Sequence, residues 1–499
     1  MSKTDRKRWR HTSPLAAIFY LGRIFKAIGQ NAVQSFAPLA AFLVAYEGNL
    51  MGKIVFGIAA FVVITVSGAV IRYMFFRYRI TNDSVLIREG VLKKTQLDIK
   101  FDRIQAINTK QNLIFRAFDL VTVEFDTAGS AKQEGHLPAI KSALASSLRE
   151  RIRSADRSVD VEDELKAESR SLLRLDNRDM IRIGLSNNRA LIFLALLSPL
   201  IDNLANRIEE TIDESSLLAI LEGAGFAVAG GIGLAISIAI LVLLLLGAAS
   251  VVGAFLRYHR FELCTEGDVL RSTGGLLTRH EHSVNLAKIQ SLRAIQNPIL
   301  RLFGRFRLRA KQASSGKPGK GKQFIIPICE PDQLPMLEDE VFGEEFKEFD
   351  LRPRSDSFRP IAKSYMRSRV VLTGLSPAFV ATSFFYLIAG PISLVFLLWI
   401  PLNAFGVWTK YRKFGFTVAG NGMVLRKGFF GYQTTAFLHR KVQRISVTQT
   451  LLQERRGLAT IRFYLASGSL RLPYVDFQMA KGLRDYVLYK VESSRRAWH

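Results

Sequence analysis

Two cysteines, Cys264 and Cys329, are all that 499 residues contain. They stand in unrelated contexts, so a disulfide framework and a Cys-x-x-Cys metal site are both excluded, and reduced cytosolic thiols are the economical reading. Acidic residues are also scarce. Asp and Glu number 43 against 69 Lys and Arg, which gives a net charge of +26 and a pI near 10.2. Such a balance points to anionic membrane surface or nucleic acid as a partner. Catalytic signatures are missing: the chain has no GxSxG nucleophile elbow and no HExxH zinc helix. Charge itself is absent from two long stretches, Gly223 to Leu256 and Val370 to Thr409. Uncharged runs longer than 18 residues read as membrane-spanning helices, and they tilt the choice of partner from nucleic acid to lipid.

The apolar stretches form pairs. Ala27 to Tyr46 and Ile54 to Ile71 are joined by a short connection, and Val370 to Thr409 is long enough for two spans with Gly390-Pro391 as the turn. The middle pair combines a short segment between Asn187 and Leu204 with the long Gly223–Leu256 run. Lys and Arg cluster where each pair exits (Arg72, Arg77, Arg79; Arg257, Arg260; Lys410, Arg412, Lys413), and the tips hold few. Three pairs make six expected spans, and the positive-inside rule predicts both termini and all extramembrane parts on the cytoplasmic side.

The extramembrane parts repeat. Ile104-Gln105-Ala106-Ile107, Gln111-Asn112 and Arg116 through Leu120 form one copy. Ile289-Gln290-Ser291-Leu292, Gln296-Asn297 and Arg301 through Gly304 form the second. Val442-Gln443-Arg444-Ile445, Gln449-Thr450 and Arg455-Arg456-Gly457-Leu458 form the third. Their separation is domain-sized, and each follows a glycine after an apolar run (Gly90, Gly274, Gly428), so one β-rich module is expected three times. Short β-branched runs with turn residues between them predict strands, and each copy ends in a helical stretch. Gly274 and Gly428 are expected to share one turn.

Three hairpin-plus-domain copies with this V/I-Q-x-I/L pattern resemble the bacterial pleckstrin-homology-like membrane protein family of YdbT type. The resemblance implies that each extramembrane part is a PH-like β-barrel with a C-terminal helix, at the inner membrane; the three occupy residues 77–160, 257–350 and 410–499. Hairpins with their tail or linkers fill 1–76, 161–256 and 351–409. Copy one departs from the others by carrying Asp119 where they carry Gly304 and Gly457. The family brings no catalytic residues and no cofactor.

The remaining motifs favour structure over chemistry. The repeated Gln105, Gln290 and Gln443 could form an interaction surface, or their amides could close an irregular strand edge. Gly316 to Lys322 has partial phosphate-loop spacing but lacks the Ser/Thr, so it reads as a basic hairpin loop. His280 and His282 can share one strand face, but no third metal ligand is suggested nearby. His439 reads as a surface residue. Residues 410–499 hold 17 Lys and Arg against 4 Asp and Glu. Arg440, Lys441, Arg444, Arg455 and Arg456 lie beyond the reach of the positive-inside rule and form a candidate patch for anionic lipid, with an acidic protein partner next. The expected function is a non-enzymatic membrane scaffold or binding protein; a small-molecule transporter or a lipid-transfer protein is the alternative.

Overall fold

The computed structural model describes residues 9–30, 50–91, 93–127, 135–156, 170–186, 225–313, 323–346, 350–353 and 358–494. Three helical stretches among them are long and apolar enough to cross a membrane: Val55–Met74, Leu241–Tyr258 and Ser364–Lys413. The last is folded back on itself. Gly390 takes φ 58°, Trp399 Nε1 donates to the Thr373 carbonyl at 2.9 Å, and Thr373 Oγ1 donates to Asn403 Oδ1 at 3.2 Å. The Gly390-Pro391 turn is therefore present as expected. The first expected span, Ala27 to Tyr46, and the third, Asn187 to Leu204, lie mostly outside the described residues. Helix α1 (Ala16–Gln30) begins earlier than that first span and packs beside α2 (Leu50–Met74).

The first domain follows: β1 (Arg77–Ile80), β2 (Ser84–Glu89), β3 (Thr95–Lys100), β4 (Ile104–Asn112), the short α3 (Leu113–Ala117), β5 (Leu120–Thr127), β6 (His136–Lys141) and α4 (Ser142–Asp156). The second domain opens with β7 (Arg170–Arg174) and α5 (Asn177–Leu185). After the long α6 (Gly225–Tyr258) it continues with β8 (Glu262–Glu266), β9 (Val269–Gly274), β10 (Thr278–Asn285), β11 (Ile289–Gln296), α7 (Pro298–Leu302), β12 (Phe306–Gln312), β13 (Gln323–Cys329) and α8 (Gln333–Phe342). The third repeats the order: β14 (Arg359–Pro360), the hairpin from α9 (Ser364–Val370) through α10 (Ser376–Ala389) to α11 (Trp399–Lys413), β15 (Gly415–Val418), β16 (Gly422–Lys427), β17 (Tyr432–Leu438), β18 (Val442–Thr448), α12 (Leu451–Glu454), β19 (Leu458–Leu465), β20 (Gly468–Asp476) and α13 (Phe477–Glu492).

Strands β7 and β14 precede their hairpins, inside the segments expected to be linkers, yet they pair with β8 and β15. Arg10 bridges to Tyr78 at the same place in the first domain. The apolar hairpin α9–α11 thus lies between the paired strands β14 and β15, and the apolar helix α6 lies between β7 and β8.

The sheets are not separate barrels. The described strands form sheets of three, seven, seven and three, ordered β1-β2-β3, β6-β5-β4-β10-β9-β8-β7, β13-β12-β11-β17-β16-β15-β14 and β18-β19-β20. The physical reason is the strand edge. Strand β4 has a row of backbone groups that its own domain does not satisfy, and β10 of the next domain pairs with it, Thr109 opposite Glu281 and Lys110 opposite His280. Strand β11 takes β17 in the same way, Ile295 opposite Gln433.

Each domain still has a core, although Val424, Ala436 and Leu438 of the third join the core of the second. In β19, Ile461, Phe463 and Leu465 point inward while Arg462 faces out, as period-two alternation requires. Ala480, Leu483 and Val487 present one buried stripe of α13 to that core.

Candidate functional site

The repeated glutamines are built into the backbone. A register shift falls between Ile104 and Ala106, between Ile289 and Ser291, and between Val442 and Arg444. Gln105, Gln290 and Gln443 therefore each occupy a β-bulge, where an extra residue bends the strand. Gln290 is buried and Gln443 is exposed; the Gln105 side chain lies outside the described part. The second set is more uniform. The side-chain amide of Gln111 donates to Leu120 O at 3.0 Å, that of Gln296 to Arg305 O at 3.4 Å, and that of Gln449 to Leu458 O at 2.9 Å. Each closes the loop around a short helix whose cap is the next residue: Asn112 and Asn297 accept from the third residue onward at 2.7 Å, and Thr450 forms a capping box.

The loop after each short helix needs a left-handed residue. Gly304 and Gly457 both have φ 62°, and Asp119 adopts φ 49° at the same point, which Asp tolerates better than most residues. Asp119 is thus a conformational equivalent and not a break in the repeat. The other expected glycine turn is corrected by one residue. An added Cβ would lie 2.0 Å from Lys93 O at Gly90, 2.1 Å from Thr278 O at Gly275 and 2.0 Å from Gly431 O at Gly428. Gly275, not Gly274, matches Gly428: the preceding strand is six residues long in every copy, and Gly274 is the last residue of β9.

These turns and short helices mark one end of every domain. The Leu276 N–H donates to Leu256 O and the Gly275 N–H to His259 O, both at 2.9 Å, so the turn sits against the last turn of an apolar span. Lys413, ending α11, holds the Phe429 and Phe430 carbonyls. The same end exposes apolar side chains in all three copies: Leu113, Ile114 and Phe118; Ile299 and Leu302; Leu451 and Leu452. Leu277 and Phe430 extend the pattern onto the turns. Exposed apolar clusters beside spans fit a membrane interface.

A cavity of about 310 Å³ opens at this level between the first two domains, lined by Arg116, His259, Arg260, Thr273, Gly275, Leu276 and Arg279 among others. Three guanidiniums and an imidazole surround it, and no carboxylate among the described residues lines it. Arg116 comes from α3, Arg260 from the exit of α6 with φ 51°, and Arg279 from β10 opposite Gln111. The site exists only because β4 and β10 are paired. At the second junction the matching cations are covered by rings: Arg301 and Lys413 stack on Tyr432 at 5.5 and 5.0 Å, and Lys410 on Phe429 at 5.2 Å.

A larger cavity of about 390 Å³ lies along the same junction. Its charges are mixed: Lys110 pairs with Glu124 at 2.6 Å, beside Asp126 and Arg257. His280 and His282 do share a strand face here, their rings stacked at 6.1 Å. Burial, first, and then His282, Lys110 and Arg257 push His280 down to about 4, so it is neutral near pH 7. No cluster of three metal-ligating side chains occurs among the described residues. The Gly316–Lys322 loop lies outside them.

The basic residues singled out in the third domain divide. Arg440 forms an ion pair with Glu345 of the second domain at 2.9 Å, and Lys441 is buried and donates to Ala287 O. Both hold two domains together. Burial, with Arg440 next to it, pushes Lys441 down to about 8. Arg444 lies over the Tyr464 ring at 5.3 Å, and Arg455 and Arg456 are exposed beside the apolar Leu451-Leu452 prong. His439 is buried, not on the surface; burial pushes it down to about 4. Arg116, Arg260 and Arg279 escaped sequence reasoning as a set, since the strand pairing that gathers them crosses a domain boundary.

The bacterial PH domain profile matches three times, at residues 32–156, 216–344 and 370–491. Each match begins in or near a hairpin and ends in or just beyond the helix that closes a domain. A transmembrane protein of Bacillus subtilis (strain 168), YdbT, is 24% identical over 425 residues, 81% of this chain and 82% of its own. With three matches that together span more than half of its length, the chain belongs to the bacterial PH domain family.

Proposed function

We propose that this is a six-span inner-membrane scaffold, not an enzyme, whose three PH-like domains lie on the cytoplasmic surface and hold anionic phospholipid headgroups. The observation that carries the reading is the cavity lined by Arg116, His259, Arg260 and Arg279, with no carboxylate among the described residues around it, beside Leu276 at the end of a span. Acyl chains of an inner-leaflet lipid would lie against the exposed Leu276 and Leu277 while the phosphate meets the guanidiniums. Arginine suits this task because its planar fork matches phosphate oxygens. Basic side chains near an anionic leaflet contribute about 1 kcal/mol each, so three arginines give about 3 kcal/mol. Arg455 and Arg456 serve the third domain similarly, next to Leu451 and Leu452.

The test uses the full chain purified in mild detergent, with native mass spectrometry counting bound phosphatidylglycerol against phosphatidylcholine. Phosphatidylglycerol should be retained preferentially, and R116A/R279A should reduce that preference by roughly 30-fold, the equivalent of about 2 kcal/mol. Equal retention of both lipids, or a preference unchanged in the double variant, would refute the headgroup reading.

A further inference from the structure

Among the described residues, two strand edges of the repeated junction are left over. Inside the chain, the first two domains each offer the edge of the strand that carries the bulge glutamine (β4, β11), and the following domain fills it with the strand just before its own such strand (β10, β17). Among the described residues, β3 ends one three-stranded sheet and β18 ends another. These are the two halves of a junction that occurs closed twice in the same molecule.

The residues on the open edges show what is missing. Ile107 and Leu292 are 5% and 1% exposed at the closed junctions, whereas Ile445, at the same repeat position, is only partly buried. Gln290 and Ser291 are each 1% exposed, and their counterparts Gln443 and Arg444 face solvent. On the other edge, Thr434 and Ala436 of β17 are buried at 1% and 0%, while their equivalents Gln96 and Asp98 of β3 are exposed. An edge with alternating Ile445 and Val447 and no proline is unprotected in the ways that discourage pairing.

Charge is complementary as well. On α4 the buried stripe Ala145, Leu148, Ile152 places Arg149 toward the junction, where it meets Glu281 at 2.8 Å. On α13 the stripe Ala480, Leu483, Val487 has the same spacing and places Arg484 at that position, half-buried and paired with its neighbour Asp485. Across an added strand, Arg484 would meet Gln96 and Asp98, which stand where Glu281 and Ser283 stand. Asp98 supplies the carboxylate.

We propose that β18 of one copy of this chain pairs antiparallel with β3 of a second copy, which repeats the internal junction between molecules. The register follows from the closed cases: Lys110 faces His280 and Ile295 faces Gln433, so Thr448 faces Thr95. Because one edge meets a different edge, the contact is heterologous and generates a ring or a row in the membrane plane, not a two-fold dimer. Main-chain hydrogen bonds supply the affinity, as in strand addition generally.

Disulfide trapping in native membranes tests this on the full chain with C264S and C329S replacing the two native thiols. T95C/T448C should give dimers and higher species on oxidation, and co-expressed T95C and T448C chains should give a mixed dimer. An I295C/Q433C chain, closed within itself, reports that the oxidation works. T448C alone should stay monomeric. A T448C dimer, a T95C/T448C link closed within one chain, or reactive thiols that never cross-link would each overturn the proposal.

Discussion

Glu281 is the electrostatic centre of the first domain junction, and its replacement by glutamine isolates the charge. Its carboxylate sits between Arg149 at 2.8 Å and Arg271, and accepts from Thr109 Oγ1 at 2.8 Å. Arg149 and Thr109 belong to the first domain, Arg271 and Glu281 to the second. Burial would raise the Glu281 pKa, but the two guanidiniums outweigh it and hold the carboxyl below the usual range. Breaking a buried pair costs about 3–5 kcal/mol. Here the arginine side chains remain 28% and 30% exposed, and Arg271 keeps Glu266 at 2.7 Å, which lowers the expected cost to about 2 kcal/mol. Glutamine preserves shape and the Thr109 bond, so no cavity complicates the result. The assay is amide hydrogen exchange on lipid nanodiscs. Protection across residues 104–112 and 278–285 should fall together by about 30-fold in E281Q, while residues 458–465 stay unchanged. The sign in pH follows from the lowered pKa: the contribution is complete above the ordinary carboxylate range and is lost as pH falls through the folded value. E281Q should abolish that acid sensitivity. Exchange unchanged in both strands would refute the view that this charge cluster secures the junction.

Further outcomes follow from single positions. Burial pushes Glu338 up to about 8, so its contribution is most favourable below pH 4.5 and declines as pH rises toward 8; E338Q, which still accepts from the Leu351 N–H, should raise the melting temperature at pH 8.5 and much less at pH 5. A G275A chain forces a side chain into φ 117° and onto Thr278 O, and should lose roughly 1–3 kcal/mol by thermal unfolding. At the matching left-handed positions, G304A and G457A should each destabilise by about 1 kcal/mol, whereas D119G should be neutral or slightly stabilising.

The repeat was legible because backbone geometry demands specific residues at specific points. A glutamine at each bulge, a second one closing each short-helix loop and a left-handed residue after it survive where packing residues drift. The function of the first two sets was not legible, since an amide that binds a ligand and one that binds a carbonyl look alike in one dimension. Strands β7 and β14 were missed because they are short and charged, Arg170-Ser171-Leu172-Leu173-Arg174 and Arg359-Pro360, with their partners beyond a membrane hairpin. The sharing of sheets was missed for a related reason: alternation in β4 predicts which face is buried but says nothing of what lies along its edge. Arg440 and Lys441 looked like surface charges since Glu345 and Ala287, their partners, lie far away in sequence.

Sheets that run from one domain into the next require all three domains to lie on the same side of the membrane. Single cysteines at S130C, S315C and S467C, in full chains with C264S and C329S, should react with an impermeant maleimide only after the membrane is opened, and G390C should react from outside at once. Labelling of any one of the three domain loops in intact cells would contradict both the topology and the continuous sheets.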